Sequence, residues 1–409
     1  MSSLGWIHFS QTFRDRVNTI LDMMDEEGMV DELGVGSFRD AFADILFPGI
    51  STIQTRAKYF FIIPYLIQDY FNLSSRQQTD LGNYLYDAEH ELMWHLAAKY
   101  NFDRTSGSGV IGITKRPRKR IARRPVSVYW NGLRILGFIK TNLSLSVYTL
   151  RINETLEQKL ARTVSSGNKQ GDDEDIDLSE GHGIKVQTYQ KNWKDQIDMP
   201  LLYEEADYFQ KQILRSVPDS LLSLIVSNKQ VRQEFTRNKD FESFARSISK
   251  QTIKKELHEN IVLAHDFNEV VKGLHLVYCN EINKVHYEDT RYYEKWKEWK
   301  NELYGNLMNV SNLTGENLIL IAPRSGYYSK IFIPKVLEMV RNNSLSYDEL
   351  ATLVIQQEKD IKGSRSRFKV GAETDFRKGD SKSLSFMNYR YSNAKTIIKD
   401  IFDGLKENA

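Results

Sequence analysis

Apolar residues recur at helical spacing through most of the chain. Phe13, Val17, Ile20, Leu21 and Met24 fall on one face, and Gly28 supplies a stop. Ser37 precedes a second stripe of Phe38, Ala41, Phe42, Ile45 and Leu46, which Pro48-Gly49 ends. Ser51 and Gln54 have capping-box spacing for a third helix through Ala57, Phe60 and Phe61, which Pro64 should kink or interrupt. A fourth stripe runs through Leu81, Leu85, Ala88, Leu92 and Leu96. Each stripe needs the others for burial, so residues 1–104 are expected to form a helical bundle.

Residues 105–109 read as a Gly/Ser loop and 110–113 (VIGI) as a short strand. The most basic stretch follows at 115–124 (KRPRKRIARR). Pro125 then opens a helix through Val126, Tyr129, Trp130, Leu133 and Leu136, with Gly137 as its left-handed end. Residues 105–164 are therefore expected to be a basic arm leading into a winged-helix or helix-turn-helix-like module. An acidic loop at 165–183 separates them from a central helical region, 184–310. Its stripe begins with Leu202, Ala206, Phe209 and Ile213 and ends in RYYEKWKEWK at 291–300. In the last region, 311–409, NLILIA and KIFI within 317–333 are the best strand candidates. Ser346 and Glu349 suggest another capping box, 359–382 reads as a basic loop, and Ala394, Ile397, Ile398, Ile401, Phe402 and Leu405 predict a closing helix. The expected fold is mainly α, multi-domain, with few short strands.

Composition narrows the chemistry. With 409 residues, 41% hydrophobic and 27% charged, the chain has material for two to three packed domains. Net charge is only +2, so attraction to a polyanion must come from local patches. The single cysteine, Cys279, excludes a disulfide framework and a Cys-rich zinc site within the chain and fits a reducing compartment. The first residues lack a signal-peptide pattern, and the most apolar run, 59–67, is too short to cross a bilayer. A cytoplasmic protein without a membrane association is expected.

Seven of the ten residues at 115–124 are Lys or Arg and none is acidic, a concentration that solvent or an external anion must relieve. Lys115, Arg116, Arg118, Lys119, Arg120, Arg123 and Arg124 are the candidate phosphate contacts. Ser127, Asn131 and Arg134 lie on the polar side of the helix that follows. A solvated loop, or pairing with the acids at 172–177, is the plainer alternative. Other motifs are weaker. His90, Glu91 and His95 miss the zincin spacing, because Trp94 stands where the second histidine is needed. His258, Glu259 and His265 match no ligand pattern. Gly34-Val35-Gly36 is explained by a tight turn, and Asp31, Glu32, Asp40 and Asp44 by ordinary acids around a helix start. Tyr292, Tyr293, Trp296 and Trp299 could stack bases, but core packing is the commoner use of such a face. The basic loop at 359–382 carries interspersed acids and reads as surface. No catalytic residue, metal site or cofactor is expected.

GWIHFS at 5–10, the stretch at 30–67 with its FPGISTIQTRA core, GVIGITKRPRKRIARRPVSVYWNGLRILGFI at 109–139 and NYRYSNAKTIIKDIFDGL at 388–405 together resemble a bacterial family, domain of unknown function 6361. The resemblance implies an accessory protein of anti-phage defence, acting on nucleic acid beside a helicase or a phospholipase-D-type nuclease. It implies no catalytic residues. Within its stretch, Thr55-Arg56 and Arg39-Asp40 are either functional or an Arg–Asp support for the bundle, the latter favoured. The resulting expectation is a non-enzymatic nucleic-acid-binding component, with DNA as the expected nucleic acid. A protein-interaction scaffold without nucleic-acid contact is the first alternative and a divergent metal-dependent nuclease the second.

Overall fold

The computed structural model describes residues 31–74, 77–114, 121, 123–165, 183–184, 186–248, 253–287, 291–369 and 387–406. They form fifteen α-helices: α1 (Gly36–Leu46), α2 (Tyr59–Phe71), α3 (Leu81–Lys99), α4 (Pro125–Ile135), α5 (Leu145–Ser165), α6 (Tyr203–Ser216), α7 (Leu221–Ser227), α8 (Lys229–Arg237), α9 (Phe241–Ile248), α10 (Lys255–Tyr287), α11 (Arg291–Asn306), α12 (Gly315–Ile321), α13 (Tyr327–Arg341), α14 (Tyr347–Lys362) and α15 (Tyr391–Gly404). The mainly helical expectation is met. The helix expected around residues 13–24, the acidic run at 172–177, and Arg377 and Lys378 of the second basic loop lie outside the described residues.

The short strands are not. Residues 110–113 are turns, and NLILIA and KIFI are helical. A short apolar run fits a buried strand and a buried helix equally well, and here the flanks decide it. The Thr314 side chain accepts from the Asn317 amide and starts α12. KIFI sits within the longer α13, whose buried Ser329, Phe332, Ile333, Val336, Leu337 and Val340 keep helical spacing. Among the described residues the isolated antiparallel bridge is Ile139 to Ile184, so no strand pair makes a wing beside α4.

One local signal was read correctly in chemistry and misread in consequence, and a second, Pro64, does not interrupt its helix. The Ser51 amide donates to Gln54 Oε1 at 3.2 Å, half of the capping box, yet the helix starts only at Tyr59. Pro64 lies inside α2 without ending it, because the whole span from Tyr59 to Ile67 is buried and packing outweighs one missing hydrogen bond. Pro125 occupies the first turn of α4, and Gly137 follows it with φ +73°, both as expected.

Buried residues from Leu33 to Ile401 join in one apolar cluster that runs across all the expected regional boundaries within that span. Near its centre Phe60 and Phe61 of α2 meet Phe138 and, on α6, Phe209, with ring centroids 4.8–6.1 Å apart. The long α10 packs on α1, α9, α11 and α14 and is almost wholly buried between Ile261 and Asn283. That burial explains why its apolar pattern is blurred: a helix covered on all sides has no polar face. The closing helix α15 returns to the start of the described chain. Asn393 donates to the Thr52 and Gln54 carbonyls, and Arg390 pairs with Asp44 at 2.5 Å.

Gly273 marks the closest approach of α10 and α11. A Cβ there would lie 2.3 Å from the Trp299 ring. In an exposed helix, Gly to Ala stabilises by about 0.8–1 kcal/mol. Here Gly273→Ala is expected to destabilise instead, by about 1–3 kcal/mol from overpacking, read as a lower denaturation midpoint. A midpoint equal to or above that of the parent would contradict this packing.

Candidate nucleic-acid interface

The cationic stretch hangs between two fixed flanks. On its N-terminal side, the loop at 107–112 is tied to the segment before α2. Thr55 Oγ1 donates to the Gly109 carbonyl at 2.6 Å, Arg56 Nη1 to the Ser108 carbonyl at 2.8 Å, and the Ile111 amide to Tyr59 Oη at 2.7 Å. Gly109 has φ +69°, and a Cβ there would stand 2.5 Å from Arg56 Cγ, so only glycine lets the loop lie this close.

On the C-terminal side the anchor is α3. The buried His90 holds its Nδ1 against the Tyr86 carbonyl at 2.6 Å, and its Nε2 accepts the Ile121 amide at 2.9 Å. The Nδ1 contact fixes the proton there and leaves Nε2 as the acceptor. Glu89, buried beside it, accepts Arg124 Nε at 2.8 Å and the Val126 amide at 2.5 Å, one of the free donors at the start of α4. Burial pushes the Glu89 carboxyl above its ordinary range, against the opposing pull of Arg124 and the Val126 amide.

Between the flanks opens a cleft of about 670 Å³, lined by Thr52, Thr55, Arg104, Gly112, Thr114 and Arg123 among others. Arg104 is exposed, held on a short 3-10 turn that Asp103 caps through the Thr105 amide at 2.7 Å. A cleft lined by a glycine-rich turn, threonines and two arginines suits a phosphate.

The candidate residues divide. Lys115, Arg116, Arg118, Lys119 and Arg120 lie outside the described residues. Arg123 lines the cleft. Arg124 is spent internally on Glu89 and on the Tyr86 ring, 5.3 Å away. Ser127 is exposed and donates to the Arg124 carbonyl at 2.7 Å. Arg134 donates to the Thr141 and Asn142 carbonyls at 3.1 and 3.0 Å and so braces the turn after α4. Asn131 is exposed on the same face of α4 as Ser127 and Arg134. Sequence reading missed Arg104 and Glu89, and it weighed His90 only as part of a zinc motif with Glu91 and His95, when Glu89 and His90 hold the end of the arm.

The other motifs resolve into structure. Arg56 does form an Arg–Asp support, with Asp400 of α15: Nε lies 3.0 and 2.9 Å from the two carboxylate oxygens, and the Ala57 amide donates to the same group. Tyr129 Oη accepts the Thr55 and Arg56 amides and donates to the Arg56 carbonyl. Asp31 accepts the Gly36 amide, and the ion pairs of Glu32, Asp40 and Asp44 are with Lys362, Arg39 and Arg390. Tyr292, Trp296 and Trp299 are buried and offer no face to a base, Tyr293 stays exposed with its ring against Tyr347, and Cys279 is buried. Of the second basic loop, Lys359 and Lys362 belong to α14. Among the described residues no group of three or more His, Cys, Asp or Glu is placed to hold a metal ion, and no helix is long and apolar enough to cross a membrane.

Compared with known proteins, residues 1–285 match the family described as "Family of unknown function (DUF6361)". No curated protein and no solved structure matches.

Proposed function

The chain belongs to the DUF6361 family of unknown function, and from the geometry at the base of its basic arm we propose that it binds nucleic acid through backbone phosphates, without catalysis. The observation that carries the reading is the cleft edged by Arg104 and Arg123 at the root of a segment whose next six residues, 115–120, include five cations and no acid. Buried groups of α3 are committed to fixing where that segment emerges. In this reading Lys115, Arg116, Arg118, Lys119, Arg120 and Arg123, joined by Arg104, meet phosphates. Ser127 and Asn131 lie beside the strand, while Arg124 and Arg134 position the arm and the turn after α4.

Contacts of this kind fix register and carry no base sequence, so the binding is expected to be indifferent to sequence. The role beside a helicase or a phospholipase-D-type nuclease in anti-phage defence is the part of the proposal that rests on the family resemblance alone. Co-purification with such an enzyme encoded nearby is its check.

The cleft itself is tested with Arg104→Ala combined with Arg123→Ala. Losing two phosphate contacts should lower the log–log salt slope of DNA binding by about 1.8 units and weaken binding roughly tenfold or more at moderate salt. An unchanged slope removes the cleft from the interface.

A further inference from the structure

The hairpin of α12 and α13 gathers four exposed large apolar side chains, among them the two most exposed of the described residues. Leu320 is 77% and Tyr327 74% exposed, with Tyr328 and Ile331 also open to solvent. A Cβ on Gly315 would lie 2.6 Å from Pro334, so the helices run antiparallel and Leu320 comes back toward the Tyr327–Ile331 end. Along α13, Tyr327, Ile331 and Lys335 follow at four-residue spacing on one face. The two tyrosine rings stand edge to face, 5.5 Å apart.

Charge between the two helices is mainly positive. Residues 317–337 contain Arg324, Lys330 and Lys335 and no Asp or Glu, with the exposed Glu316 and Glu338 standing just outside that stretch. Arg324 and Lys335 are exposed, and Lys330 spends one hydrogen bond on the Pro323 carbonyl at 2.7 Å. A contiguous exposed apolar patch rimmed by cations is the mark of an interaction surface, and a ligand that uses both features fits it. Flat apolar faces alternating with negative charge are the chemistry of an unpaired nucleic-acid strand, whose bases stack on aromatic rings while its phosphates meet Lys and Arg.

We propose that the α12–α13 corner is a stacking platform for single-stranded nucleic acid, with bases on Tyr327 and Tyr328, flanked by Leu320 and Ile331, and phosphates on Arg324, Lys330 and Lys335. This rests on the reading above that the ligand is a nucleic acid and adds that an unpaired strand is part of it. A duplex keeps its bases stacked inside and has no face to offer these rings, so the platform discriminates between the two forms.

The test uses the full chain, a labelled twenty-nucleotide thymidine oligomer and a blunt duplex of equal length, read by fluorescence anisotropy over a salt series. Tyr327→Ala with Tyr328→Ala should weaken single-strand binding tenfold or more, leaving the salt slope and the duplex affinity within twofold. Tyr327→Phe with Tyr328→Phe keeps both rings and should bind the oligomer as the parent does. Because both side chains are exposed, thermal melts of all variants are expected to coincide. Single-strand affinity unchanged in the alanine pair overturns the platform, and so does an alanine pair that alters only self-association or the capture of a protein. A parent chain that binds the duplex with a steep salt slope but ignores the thymidine oligomer sinks the platform alone. A parent that binds neither sinks the nucleic-acid reading with it.

Discussion

Replacing Lys115, Arg116, Arg118, Lys119 and Arg120 together by alanine is expected to flatten the salt dependence of DNA binding by about 4.5 log–log units and to cost roughly three orders of magnitude in affinity near 0.1 M salt. The size follows from counterion release, at about 0.9 unit for each phosphate neutralised on duplex DNA. With a net charge of only +2, the molecule has no general field to make up for the loss of five local cations. The substitution touches none of the anchors. His90, Glu89 and Tyr59 hold the Ile121, Val126 and Ile111 amides, and these bonds remain. Stability should therefore change little, and the melting transition serves as the control. Arg124→Ala is the instructive contrast. It lies in the same cationic run, but its guanidinium is taken by Glu89, so its loss should lower stability and leave the slope within half a unit. If the fivefold variant keeps the parent's slope, the arm is a solvated loop and the proposal loses its basis.

The contrast between the exposed Arg104 and the paired Arg124 also shows how far the sequence carried. Helix content was legible because amphipathic stripes such as Ala206, Phe209 and Ile213 record one buried face. Residues 317–333 were not, since a short apolar run has no face to record, and the Thr314 cap that settles it is a single side chain among many. At the site, a run of seven cations is visible in one dimension, but which of them are already neutralised depends on partners 35 residues away. Glu89 and Arg124 meet only because α3 passes under the start of α4. Arg56 finds Asp400 across 344 residues, a pairing that no local pattern suggests. The exposed Tyr327 and Tyr328 lie between NLILIA and KIFI, the two runs read as strands, so no helical face that would show their exposure was drawn through them.

Glu89→Ala is expected to lower stability by about 3–5 kcal/mol, a large share of the 5–15 kcal/mol typical of a folded protein. The side chain accepts two donors at once, and alanine leaves both without a partner. The Val126 amide is buried at a helix start, where an orphaned donor costs about 1–3 kcal/mol. Arg124 keeps its charge with only a fifth of its side chain in water. Glu89→Gln retains one acceptor and turns an NH₂ group toward the other donor, so about 1–2 kcal/mol should be lost. The acidity of the site gives a further check on its sign. Because burial raises the native pKa of Glu89 above the unfolded value, the folded protein binds the extra proton. This contribution is complete below the ordinary carboxylate pKa and is lost as pH rises through the raised native value. Glutamine has no proton to lose. The stability gap between the parent and Glu89→Gln should therefore narrow as pH rises from about 4.5 toward neutrality, measured by urea denaturation at each pH. A gap that widens over that range would mean that Arg124 outweighs burial. The carboxylate would then be held ionised by a pair stronger than its desolvation, and the arm's anchor would work chiefly through charge where burial and two accepted hydrogen bonds are now taken to do the holding.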